Sequence, residues 1–127
     1  MEKNKKIPEN NQTVMPYLIV NNAANFLIFM QTVFGAVELF KAMTDNGGIM
    51  HGEVMIGDST IMFADRPEKS DPQPAGMFIW VDNADEIYGK ALDNGATVVT
   101  ELANQQYGRS GGVLDPFGNT WWITSMI

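Results

Sequence analysis

The chain has 127 residues, 45% of them hydrophobic, which is enough for one compact domain with a real core. It has no cysteine, so disulfides and thiolate metal sites are excluded, in keeping with a reducing compartment such as the cytoplasm. The net charge of -7 disfavours nucleic acid as a partner and favours a cationic one, although acidity also serves solubility alone.

No stretch reads as a signal peptide or a membrane span, so no membrane partner is expected. The opening "MEKNKKIPENNQ" is polar, and residues 1–12 are expected to fray as a flexible tail. Thr13–Val20 is β-rich, with Pro16 suggesting an edge strand. Asn21 or Asn22 can cap a helix carrying Ala23, Phe26, Leu27, Met30, Val33 and Phe34 at helical spacing, and Gly35 ends it. Val37–Thr44 is the next strand, followed by the turn signal "DNGG". Ile49–Ile56 and Thr60–Asp65 then form a hairpin around "GDS".

The polar, Pro-rich stretch "RPEKSDPQPAG" joins this half to a second one, with 66–75 as the linker. Met77–Val81 is a strand, and Asp82 or Asn83 caps a helix from about Ala84 to Asn94, ended by Gly95. Thr97–Leu102, Gly108–Leu114 and Thr120–Met126 are the remaining strands, and "DPFGN" is a tight turn before the last.

The halves repeat one another. "IVNNAANF" aligns with "WVDNADEI" at a shift of 61, "FGAVEL" with "NGATVV" at 60, and "IGDSTIMFAD" with "FGNTWWITS" near the same shift. Three matches in one order indicate a duplicated strand–helix–strand–strand–strand module, over 13–65 and 76–126. One helix per module covers one face of its sheet. The other faces form a concave wall that must be filled or bind something.

"MPYLIVNNAANFLIFMQTVFGAVELF", "MHGEVMIGDSTIMFAD" and "YGRSGGVLDPFGNTWWIT" resemble the vicinal oxygen chelate superfamily, and within it the PhnB-like glyoxalase/bleomycin-resistance proteins. The resemblance implies an α+β fold of two βαβββ modules, with eight strands in a U-shaped mixed sheet and helices outside. It also implies a homodimer with ligand cavities shared between subunits. In metal-using members four His or Glu ligands sit one on the first and one on the last strand of each module. Those positions fall near Met15, Met62, Gly76 and Trp122 here, where hard-cation donors are missing. No metal and no cofactor are therefore expected.

His51 is the chain's single histidine, and Glu53 shares its strand face. The pair can be structural support, a recognition element, an acid–base pair or part of a metal site. Phe78 and Trp80 share the open face of their strand, as Trp122 and Thr124 do of theirs. Tyr17, Met15, Met55 and Met62 complete the expected lining, and aromatic faces suit planar or cationic ligands. Tyr107, Arg109 and Asp115 are expected beside the cavity. Arg109 is a candidate for an anionic group or else a surface ion pair.

The expected function is metal-independent binding of a small molecule in an aromatic-lined cleft of a homodimer. The alternative is a lyase or isomerase of the same superfamily, or a dioxygenase-superfamily member lacking the usual metal ligands, with catalysis relocated to His51 and Glu53.

Overall fold

The computed structural model describes residues 6–127. The elements run β1 (Tyr17–Val20), α1 (Ala23–Phe34), β2 (Val37–Met43), β3 (Ile49–Ile56), β4 (Ser59–Asp65), β5 (Gly76–Trp80), α2 (Ala84–Asp93), β6 (Thr97–Gln105), β7 (Gly108–Leu114) and β8 (Thr120–Ser125). The eight strands divide into two hydrogen-bonded sheets of four, ordered β1-β4-β3-β2 and β5-β8-β7-β6. The orders are identical under a shift of four strands, and β1 and β5 each lie parallel to the last strand of their module. The duplication read along the chain is thus a duplication of topology.

Local chemistry sets the helix ends. The Asn22 and Asn83 side chains accept from the amides of Asn25 and Glu86 at 3.3 and 3.1 Å, satisfying first-turn donors. Gly35 (φ 70) closes α1 with the Ala36 amide reaching back to the Met30 carbonyl, a left-handed turn that an L side chain would strain. β1 is shorter than the expected Thr13–Val20. Pro16 has no amide to donate, and only its carbonyl joins the ladder, accepting from the Met62 amide. β6 is longer than expected, because its pairing with β7 runs out to Gln105 opposite Gly108.

The tail expected over 1–12 begins with five residues outside those described. Its later part does not hang free. The amide of Thr60 donates to Gln12 Oε1 at 3.0 Å, the Thr60 hydroxyl donates to the Asn10 carbonyl, and Asn11 Nδ2 reaches Glu53. The linker is also tied down. Gln73 exchanges backbone bonds with Ile19, and Arg66 spans Asn21 Oδ1 and the carbonyls of Glu68 and Ser70.

The core lies on the helix side of both sheets. Val54, Phe63, Trp121 and Ile123 are buried there, as strand alternation requires. α1 binds the modules together: Phe26 meets Phe63 edge-on at 5.7 Å and Phe117 at 5.3 Å, while Phe34 lies 4.4 Å from Trp121. α1 therefore carries six buried residues, against Ala84, Tyr88 and Ala91 on α2. Gly52 and Gly111 are required by this packing. A methyl group at Gly52 would stand 2.5 Å from the Phe63 ring, and one at Gly111 would stand 2.8 Å from Tyr88.

Candidate functional site

With the helix sides packed, the opposite sheet faces are left. Parallel and antiparallel registers both place paired residues on one face. Tyr17 stands beside Met62, and Met62 beside Glu53, so β1, β4 and β3 present these side chains together. His51 lies two residues along the same strand. Its Nε2 is 3.0 Å from Glu53 Oε2, and its Nδ1 is 3.2 Å from the Tyr17 hydroxyl. Asn11 Nδ2 donates to the other Glu53 oxygen at 3.2 Å. The Phe40 ring lies 6.1 Å from the imidazole and the Tyr17 ring 5.4 Å away. His51, Glu53 and Met62 are half-buried, while Tyr17 and Phe40 are exposed.

The second sheet presents a different face. Phe78 and Trp80 pack at 5.3 Å and stand 50% and 55% exposed. Tyr107, in the β6–β7 turn, lies 6.1 Å from Phe78 and is 55% exposed. Trp122, beside Phe78 in the ladder, lies over Gly112, where a methyl group would stand 2.5 Å from its ring. A cavity of about 400 Å³ opens between the β3–β4 turn and β5, lined by Pro16, Ile56, Asp58, Phe78 and Trp80 among others.

Of the expected lining, Tyr17, His51, Glu53 and Met62 therefore assemble on one sheet, and Phe78, Trp80, Tyr107 and Trp122 on the other. The two groups do not meet within the chain. No strand of one sheet pairs with the other, and the cavity at Phe78 and Trp80 includes none of Tyr17, His51 or Glu53.

Three expectations are corrected. Arg109 does not face this wall. It projects to the helix side, where its guanidinium binds Asp85 of α2 and Asn104 Oδ1. β7 alternation puts it opposite to Ser110 and Gly112, and its guanidinium forms the surface ion pair with Asp85. Asp115 is buried, not cavity-lining. It accepts from the amides of Phe117 and Asn119, from Asn119 Nδ2 and from Trp121 Nε1. Asn119 in turn accepts from the Ala75 amide, so "DPFGN" is the knot that holds β8 against β5. Thr124 is buried rather than lining, its hydroxyl 2.7 Å from that of Ser110.

Two participants escaped the sequence reading. Asn11 falls in the stretch expected to fray as a tail. Phe40 stands opposite Glu53 across β2 and β3, a register that had to be known.

The donor set does not fit the superfamily's metal. Met62, Gly76 and Trp122 offer no oxygen or nitrogen donor suited to a hard cation, and neither does Met15. Among the described residues no three His, Cys, Asp or Glu side chains come together as a metal-holding group. No helix among them is long and apolar enough to cross a membrane.

Comparison with known proteins agrees with this architecture. The family model described as Glyoxalase/Bleomycin resistance protein/Dioxygenase superfamily matches residues 11–123. An uncharacterized protein of Mycobacterium bovis, Mb0911c, is 34% identical, with 84% of this chain and 78% of the relative covered. The PhnB protein of Bacillus cereus superposes with a TM-score of 0.74 at 16% identity, over 90% of this chain and 99% of that one. TnmS3 of Streptomyces sp. CB03234, an antibiotic binding protein, does so with a TM-score of 0.71 at 17% identity, over 98% of this chain and 100% of that one. A duplicated βαβββ topology and a family match over nearly the whole chain lead to one conclusion: the chain belongs to the glyoxalase/bleomycin resistance/dioxygenase superfamily.

Proposed function

We propose that this protein is a metal-independent binder of a planar, cationic small molecule, held in the cleft between the β3–β4 turn and β5. One observation carries the reading: the exposed Phe78–Trp80 pair and the Asp58 carboxylate line the same cavity. Aromatic faces attract a cation through their quadrupole, by about 0.5–2 kcal/mol per contact, and the carboxylate supplies the counter-charge. The net charge of -7 draws such a ligand in. The antibiotic binding protein TnmS3 shares the fold, which is consistent with a binding role. The reading includes a homodimer. Val37 and Met43 on β2 and Val98 and Val99 on β6 are exposed apolar residues on edge strands, a surface suited to covering by a second copy.

The test is a fluorescence titration of the tryptophans with a panel of planar aromatic cations such as acridine dyes, beside sedimentation to give the assembly state. Saturable quenching is expected for at least one cation, and it should disappear in Phe78→Ala/Trp80→Ala and weaken in Asp58→Asn. Flat titrations across the panel would sink the proposal.

A further inference from the structure

The hydrogen bonds on the first sheet have a direction. Glu53 as a carboxylate can only accept, so at 3.0 Å from it His51 Nε2 must carry a proton. In the neutral imidazole Nδ1 is then an acceptor, and the hydrogen between it and Tyr17 belongs to the phenol. Asn11 Nδ2 likewise donates to Glu53. With the imidazole neutral, every proton in the chain Tyr17, His51, Glu53, Asn11 therefore points towards the carboxylate. The phenol oxygen at the outer end has spent its hydrogen inward. What it offers outward is lone pairs.

From this we infer a second binding subsite, apart from the cleft at Phe78 and Trp80, in which Tyr17 Oη accepts a hydrogen bond from a ligand hydroxyl or N–H. The ligand class is an aromatic alcohol or amine. Tyr17 is 47% exposed, so its oxygen is reachable, and Phe40, Met55 and Met62 surround the relay with apolar surface for a ring. Among the described residues, the titratable groups bonded to His51 are Tyr17 from β1 and Glu53 from its own strand. β2 places Phe40 and Ala42 beside it and β4 places Met62 beside Glu53, none of them titratable. Glu53 itself already accepts from two donors, so it orients the relay and the ligand meets Tyr17.

Two measurements at pH 8 test this. The imidazole is the chain's only one, so its ring nitrogens give unambiguous NMR signals. Nε2 is expected protonated and Nδ1 unprotonated; the reverse tautomer would overturn the relay. Equilibrium dialysis then compares 2-naphthol, 2-methoxynaphthalene and 2-naphthoate. The naphthol should bind about tenfold more tightly than the ether, the value of one hydrogen bond near 1.4 kcal/mol, and the acceptor-only anion should bind least. Tyr17→Phe, which leaves the ring in place, should bring naphthol and ether to parity. Equal affinity of the two for the unchanged protein, or no binding of the naphthol, overturns the subsite. Neither result bears on the cation cleft, which is read from Phe78 and Trp80.

Discussion

The two modules share one ladder and present opposite chemistry on it. Tyr17 and Phe78 hold matching places, each beside the neighbour in its module's last strand, Met62 in the first half and Trp122 in the second. Across the next strand Glu53 faces Met62, while Gly112 faces Trp122. Two residues earlier stand His51 and Ser110. The first module thus carries a phenol, an imidazole and a carboxylate in hydrogen-bonded series. The second carries the Phe78 and Trp122 rings side by side, with Trp122 over a glycine and the serine turned into a buried bond to Thr124. The comparison teaches that a duplicated fold conserves what the backbone ladder and the helix side need. The open faces are left to diverge, because no helix of their own module packs against them.

The modules also differ in how they are tied, and this gives the largest expected effect. Asp115 receives two backbone amides, an Asn side chain and the buried Trp121 indole, whereas Asp65 receives the amides of Ala23 and Ile49 at 2.8 and 2.7 Å. Asp115→Ala should cost at least about 3 kcal/mol in urea unfolding, since each buried donor left unpaired costs about 1–3 kcal/mol. Asp65→Ala, at a half-buried residue, should cost about half of that. Equal losses would mean that the knot at β8 is no stronger than its counterpart.

Next comes the glycine under Trp122. Gly112→Ala should displace the ring and cost about 1–3 kcal/mol, seen as a shift in tryptophan emission and in the unfolding midpoint. The matching position in the first module tolerates a large side chain, so Glu53→Ala should cost less than Gly112→Ala. The rings themselves follow. Phe78→Ala and Trp80→Ala remove side chains that are half exposed, and each should change stability by no more than about 1 kcal/mol while abolishing cation binding. A large stability loss would assign them to packing instead.

The smallest effect belongs to Tyr88 of α2. Burial, and secondly the negative charge of Glu101, push its phenol above the ordinary value of 10.0. A raised folded value means the contribution is whole below the unfolded pKa near 10 and is lost as the pH climbs through the folded one. Tyr88→Phe should therefore cost little at neutral pH, its hydroxyl bond to the Thr100 carbonyl being long at 3.4 Å, and should gain on the wild type above about pH 10. Thermal melts at pH 7 and 11 check this.

Much of the fold was legible from local chemistry. Asparagines preceding helical periodicity, a glycine ending it, alternating strands and three aligned matches at shifts near 60 gave the two βαβββ modules and nearly all element bounds. The exceptions are those where a distant partner decides. β1 starts late because Pro16 lacks a donor to β4, and Asn10–Gln12 settle on β3 and β4 because Glu53 and Thr60 offer them bonds. Arg109 has the composition of a ligand-binding residue, but Asp85 on another element claims it.

The site divides in the same way. By itself the sequence determined which residues share a strand face, since alternation with period two is a local property: His51 with Glu53, Phe78 with Trp80, Trp121 apart from Trp122. Only the tertiary structure decided which strands lie side by side, and so that Tyr17 reaches His51 across 34 positions of chain, that Phe40 and Asn11 join them, and that the aromatic group stands apart on the other sheet. Hydrogen-bond direction and ring contact depend on distances of a few ångströms between residues remote in sequence. Those distances are set by register and packing, which no local pattern encodes.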